Sequence, residues 1–493
     1  MSLLTRFPPE LWCAVWELMP FQDRVAVSHV CRYWRDISIH CPSLWQHLEF
    51  SSTIHGDDCI CKLCGTWDES HSGDEDGDEV HTRVWVPNAG PPPGTTNMYL
   101  VLHVLSRACE LPLYLTVEVH PHLAELFVVE DFGMQLVAIG AAERIVSISA
   151  VFDDPSTLRW LFSGMKRLPA LKEITARRST YPSTLSARAD TQPWYDRNID
   201  MPALSTIALF GVGWMGAYGE RAENTFPSLS SVTCAFFYPE EVEILLNACP
   251  ALDELRVIVG EPTGLGDYSW RLEPDVLSKL ERVPSVRVEG VTSDSEAWAI
   301  DNFGGGLRAS FAIAYADGVL PDLGLAFDLA DIEYFGLTLN GLTLRSSRSL
   351  QRSLHFSSRH FERISSRLVD VFTRHCAASL KTLLLPGALI PTFIRPAQNA
   401  LASLEALLIH DSDLTGLSLS PPLSSALPSL KVVHLMDGCG ERPRIPADVL
   451  AGALDCLRCT DSDSSDRLEK LILGDVELDG DVGILRSRVE TVC

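Results

Sequence analysis

Apolar and polar positions follow two different rhythms along this chain. In residues 7 to 50, Leu11, Val15 and Leu18 recur at i, i+4 and i+7, which predicts a helix opened by Pro8-Pro9 and closed by Pro20. A second helix is predicted from Asp23, whose side chain would cap it, with Val25, Ala26, Val30 and Cys31 turned inward. A third helical piece carries Trp34 and Ile37 and ends at Cys41-Pro42-Ser43-Leu44-Trp45. Three helices in so few residues bury little surface, so an apolar partner is expected on physical grounds.

From about residue 98 the rhythm becomes a loose frame, Pro-x-Leu-x-x-Leu-x-Leu. It runs through Pro169-Ala-Leu171-x-x-Ile174, Pro202-Ala-Leu204-x-x-Ile207-x-Leu209, Pro227-Ser-Leu229-x-x-Val232-x-Cys234 and Pro250-Ala-Leu252-x-x-Leu255-x-Val257. It returns from Leu380, Leu404, Pro428-Ser-Leu430 and Leu468. Most successive leading leucines stand 23 to 26 residues apart, within the period of leucine-rich repeats. Alternation in each copy predicts a short strand, with the residue between two apolar positions on the opposite face. Helical stretches are predicted at 240–248, 274–283, 366–377 and 446–458, and first strands at 111–119 and 145–152. Between Leu252 and Leu380 the frame blurs; Val286-x-Val288, Phe311-x-Ile313, Leu325-x-Phe327 and Leu354-x-Phe356 read as degenerate repeats.

The clusters Phe7-Pro8-Pro9-Glu10-Leu11-Trp12, Leu18-Met19-Pro20 with Asp23, Val30-Cys31-Arg32-Tyr33-Trp34-Arg35-Asp36-Ile37 and Pro42-Ser43-Leu44-Trp45 resemble the F-box motif throughout its length. Two positions depart from it: Phe7 stands where Leu or Ile is usual, and Met19 precedes Pro20 where a second Leu is common. The resemblance implies docking on a Skp-type adaptor, and through it a cullin scaffold. Carried over by position, Phe7, Pro8, Pro9, Leu11, Leu18, Val25, Val30, Cys31 and Trp34 would form or support that contact. The plainer alternative is that these residues only pack the helices together or against the array.

The fold class expected is therefore α/β: a small three-helix F-box module at 1–50, an acidic, cysteine-containing linker at 51–97, and an α/β leucine-rich-repeat solenoid at 98–493. The rhythm of the solenoid resembles the irregular arrays that many fungal F-box proteins carry. One strand and one helix cannot bury their faces alone, whereas stacked units can. The open face of the sheet would present Ala208, Thr233, Arg256, Leu384, Leu408, His434 and Ile472, a surface suited to protein recognition.

Composition narrows the picture. The chain has 493 residues, 46% hydrophobic and 21% charged, with a formal net charge of −25. That acidity makes nucleic acid and anionic membrane poor partners. No apolar run is long enough to span a bilayer, and the N-terminal residues do not read as a secretory signal. Scattered cysteines and the lack of an Asn-x-Ser/Thr acceptor fit reduced thiols in a cytoplasmic or nuclear protein.

Residues 57 to 79 hold nine carboxylates against Lys62, which leaves little to pack a core. Within this linker Cys59, Cys61 and Cys64, with His55 and His71, could ligate zinc, although free thiols are the plainer reading. Gly211-Val-Gly213-Trp-Met-Gly216 matches dinucleotide spacing but precedes no amphipathic helix, so no cofactor is expected. Arg345, Arg348, Arg352, Arg359, Arg363, Arg367 and Arg374 form a basic stretch. In it Arg359, Arg363 and Arg367 lie opposite an apolar stripe of Ile364, Leu368 and Phe372, and either steer an acidic or phosphorylated partner, fold back on the linker at 57–79, or simply face water.

No hydrolase or P-loop signature occurs, so the chain is read as a non-catalytic receptor. It would be the substrate-recognition subunit of an SCF-type ubiquitin ligase, with Arg256, His434, Arg359, Arg363 and Arg367 as candidate target contacts. The alternative is a leucine-rich scaffold acting outside any ligase.

Overall fold

The computed structural model describes residues 7–51, 65–73, 79–87, 96–119, 126–152, 156–178, 199–214, 225–259, 268–304, 308–317, 319, 321, 331–397, 399–410, 427–436, 444–457, 467–474 and 476–493, with 65–73 and 79–87 described by backbone alone. The chain divides into two compact units, Met1–Asp267 and Tyr268–Cys493.

The first unit opens with α1 (Pro9–Glu17), α2 (Phe21–Val30) and α3 (Arg32–Ile39), a 3₁₀ turn at Pro42–Trp45 and strand β1 (His47–Ser51). Strands β2 (Gly65–Gly73) and β3 (Glu79–Pro87) then form an antiparallel pair of their own inside the segment expected to be linker. Next come α4 (Met98–Leu105), β4 (Leu113–Val119), α5 (Leu126–Ala138), β5 (Ile145–Phe152), α6 (Ser156–Ser163), β6 (Glu173–Arg178), β7 (Thr206–Gly213), β8 (Ser231–Ala235), α7 (Pro239–Ala248) and β9 (Glu254–Ile258). β1 pairs with β4, and β4 to β9 follow in chain order, every pairing parallel. The repeated frame builds this core: Leu171, Ile174, Leu204, Ile207, Leu209, Leu229, Val232, Cys234, Leu255 and Val257 are fully buried.

The second unit contains α8 (Pro274–Leu280), β10 (Ser285–Val291), α9 (Ser293–Ala299), β11 (Ser310–Tyr315), β12 (Ile332–Thr338), β13 (Gly341–Ser346), β14 (Gln351–His355), α10 (Phe361–Val371), β15 (Thr382–Pro386), α11 (Ile390–Ala397), β16 (Ala406–His410), β17 (Val432–Met436), β18 (Arg444–Pro446), α12 (Ala447–Leu457), β19 (Leu468–Leu473), β20 (Glu477–Asp479) and β21 (Val489–Val492). Strands β12, β15, β16, β17, β19 and β21 are parallel neighbours in that order. Behind them Phe335, Phe372 and Phe393 interlock, with centroids 4.9 to 5.9 Å apart, joining the sheet to the helix layer.

The blurred stretch is not simply a run of degenerate repeats. β10 and β11 are parallel, but β12 to β14 form an antiparallel meander, and β14 returns to pair parallel with β11. Alternation alone cannot distinguish parallel from antiparallel pairing. The turn between β12 and β13 is Leu339-Asn340, with Gly341 paired opposite Thr338. Gly341 is required there, because a Cβ would meet the Leu354 carbonyl oxygen at 2.8 Å. Leu325 and Phe327 lie outside the described residues.

Candidate docking site

Pro8 precedes α1 and Pro9 occupies its first turn, where no hydrogen-bonded N–H is needed. The helix is apolar on two sides. Trp12 and Trp16, four residues apart, face inward and meet Trp34 of α3: the rings of Trp12 and Trp34 are 5.0 Å apart, and those of Trp16 and Trp34 are 5.4 Å apart. Phe7 closes this aromatic stack edge-on to Trp12 at 5.6 Å. The other side carries Leu11, Val15 and Leu18, which are 51%, 50% and 88% exposed. The predicted stripe is thus real as a pattern, but it faces away from the core.

The inward face predicted for α2 is corrected. Phe21, Arg24, Val27 and Ser28 are buried, whereas Ala26, Val30 and Cys31 are exposed and Val25 is half-buried. Hydrophobicity could not select this face, because a buried arginine and serine belong to it. Pro20, not Asp23, precedes the helix, and no side chain caps it. Arg24 donates to the carbonyls of Leu44 and His47 and lies 3.5 Å from Glu49, so α2 is tied to the approach to β1. Burial lowers the pKa of its guanidinium, while the carboxylate of Glu49 opposes that shift.

Cys31 sits at the N-terminus of α3, its sulfur accepting from the N–H of Trp34 at 3.4 Å. Cys13 is a poor nucleophile: burial, then the neighbouring Cys41, Glu17 and Glu10, push its thiol up to about 12.

Part of the module's apolar surface is met within the chain. Trp45 is fully buried and donates from its indole to the Ser38 carbonyl at 2.7 Å. Asn97 accepts from the N–H of Ser51 at 2.8 Å and donates to the Glu49 carbonyl at 2.7 Å. Trp45, Leu48 and Phe50 are buried within the chain, so the apolar partner expected for the helices is not needed for all of their surface. What stays outside is Phe7, Leu11, Val15 and Leu18, with Val30 on α2. Pro8 and Pro9 are also exposed, and Trp34 is half-buried as part of the aromatic stack. Val15 belongs with this set, and its signal was the helical spacing itself.

Such a module is a small helical domain, buried on one flank and apolar outside on the other. Residues 4–51 match the family model of the F-box-like domain, and this part of the chain is an F-box-like domain. No curated protein matches the chain.

The candidate target contacts fall on different elements. Arg256 and His434 lie on the sheet face opposite the buried frame, in different units; Arg359, Arg363 and Arg367 lie on or beside α10 in the helix layer. Ala208, Thr233 and Arg256 are register neighbours, as are Leu384, Leu408, His434 and Ile472. Burial, then the nearby Lys470, lowers the pKa of His434. In the basic stretch Arg352 is buried and donates to the carbonyls of Arg308 and Gln351, so it is not part of an exposed rail.

In the glycine motif Gly211 and Gly213 lie within β7, and Gly216 is outside the described residues. Cys59, Cys61, Cys64 and His55 also lie outside the described residues. Where side chains are described, no group of three metal-ligating residues occurs. Among the described residues no helix is long and apolar enough to cross a membrane.

Proposed function

We propose that this chain is the substrate-recognition subunit of an SCF-type ubiquitin ligase. The F-box-like domain docks on a Skp-type adaptor, and a leucine-rich-repeat-like array holds a protein target. The observation that carries this reading is the outward apolar set Leu11, Val15, Leu18 and Val30, which is exposed. An apolar surface of this kind on a small helical module favours a protein partner. The strand-and-helix period of the remainder supports the repeat-array reading, and the array's open sheet face offers a broad surface of mixed chemistry. Ubiquitin transfer belongs to the associated enzymes, and this chain contributes proximity and orientation.

Co-purification tests the reading. Full-length protein should capture both adaptor and cullin, and the double variant Pro9→Ala, Leu11→Ala should capture neither. Capture of the adaptor without cullin would instead make the chain a scaffold working outside a ligase.

A further inference from the structure

One helix of the second unit presents a basic stripe on its surface. In α10 Ile364 and Leu368 are buried, as is Phe372 just beyond it, whereas Arg363 and Arg367 are exposed on the other side. Arg359, in the 3₁₀ turn that leads into the helix, continues the line before it, and Arg374 continues it past the end. The whole chain carries a net charge of −25, so this stripe runs against the prevailing sign.

Neutralisation occurs only at the far end. Asp370 lies 3.5 Å from Arg374, one turn on. Among the described residues no carboxylate is within ion-pair distance of Arg359 or Arg363, although Glu362 is exposed beside them. Arg367 donates to the Pro321 carbonyl at 3.5 Å, which holds its guanidinium without cancelling its charge. Like charges four residues apart repel on a helix surface, and Arg359, Arg363 and Arg367 stand at that spacing. An anion from outside the helix would relieve that repulsion.

The spacing selects the shape of that anion. Four residues of helix advance about 6 Å, so the three arginines occupy a line about 12 Å long. In an extended segment alternate residues share a face and stand about 6.6 Å apart. Carboxylates at positions i, i+2 and i+4 of such a segment therefore meet the three guanidiniums in step, whereas one compact dianion leaves an end of the line unmatched. Arginine suits this pairing, because its planar fork binds a carboxylate through two parallel N–H donors.

We propose that the outer face of α10 docks an extended segment of the target that carries aspartate or glutamate at alternate positions. Arg363 is the central contact, and Arg359 and Arg367 flank it. The net negative charge of the chain repels such a segment elsewhere, which directs it to this stripe. The inference rests on the reading of the array as target-binding and names the chemistry of one part of that target.

The test is fluorescence anisotropy at low ionic strength, with full-length protein and a labelled Gly/Ser peptide carrying three glutamates at alternate positions. That peptide should bind and its glutamine counterpart should not. Arg363→Glu should weaken binding by about tenfold or more, and Arg363→Gln, Arg359→Gln and Arg367→Gln each by less. Arg444→Gln, which removes an equal charge from another exposed position paired with Glu477, should leave affinity unchanged. Peptides with three adjacent glutamates, or with a single phosphoserine instead, should bind more weakly. Equal binding of the glutamate and glutamine peptides, binding that survives Arg363→Glu, or equally tight binding of the adjacent-glutamate or phosphoserine peptide would each overturn the proposal. Thermal unfolding of the Arg363 variants should be unchanged, which separates a lost contact from misfolding. Capture of adaptor and cullin is read separately: absent peptide binding with capture intact refutes this surface alone, and peptide binding without capture refutes the ligase reading alone.

Discussion

The guanidinium of Arg107 lies 4.9 Å from the ring centroid of Trp45. The contact reaches from just beyond α4 back to the turn that follows α3, so it joins the docking helices to the parallel sheet. Burial, then the nearby Arg35, lowers the pKa of Arg107. The two partners contribute unequally. Trp45→Ala should cost about 3–5 kcal/mol through the cavity it leaves, and Arg107→Ala about 0.5–1 kcal/mol. Thermal unfolding followed by circular dichroism should show a large drop for the first and a small one for the second; equal drops would refute this ranking.

The two sides of α1 should separate binding from stability. Leu18→Asp changes an exposed position, so its effect on stability should stay within about 0.5 kcal/mol while adaptor capture falls at least tenfold. Trp16→Ala empties a buried site and should lower the unfolding temperature and capture together. Adaptor capture by Leu18→Asp at the unchanged level would remove this face from the docking surface.

Much of this organisation was legible because one physical rule governs it. In most copies of the frame, as at Leu204, Ile207 and Leu209, all three apolar positions are buried, and the residue between the last two pairs in register with its counterpart on the next strand. A row such as Leu384, Leu408, His434 and Ile472 follows from the period of two and from parallel register together. Other features were not legible, for reasons equally physical. The inward face of α2 includes Arg24, whose hydrogen bonds to the carbonyls of Leu44 and His47 depend on chain that arrives twenty residues later. The direction of β13 depends on a turn, not on hydrophobicity. The Trp12 and Trp34 contact links two helices through aromatic packing that no single-helix pattern reports.

Gly341 offers a test of the antiparallel meander. Alanine there would place a Cβ against backbone, not against a side chain that can move aside. Gly341→Ala should therefore cost about 1–3 kcal/mol and open β13 and β14 first. Hydrogen exchange should lose protection at Leu342 and Leu344 before it does so on β16 and β17. Uniform loss across the second unit would argue against a local origin.

Acid should destabilise the protein from just below neutrality, for a reason the histidines supply. Burial is the leading cause of a lowered pKa at His47, His355 and His434; Arg24, Arg287 and Lys470 respectively push in the same direction. At His355 the carboxylate of Glu289 works against the shift, and at His47 those of Glu17 and Glu49 do so. In each case the folded chain holds the neutral ring below 6.5, the ordinary value at which the unfolded chain takes up its proton. The stabilising contribution is complete above that value. It is lost as pH falls through it toward the lowered folded pKa, because over that interval only the unfolded state binds the extra protons. Unfolding midpoints measured from pH 7.5 down to about pH 5.5 should therefore decline, and His355→Gln should shallow the slope. A slope unchanged in the combined His47→Gln, His355→Gln, His434→Gln variant would place the acid sensitivity on other groups.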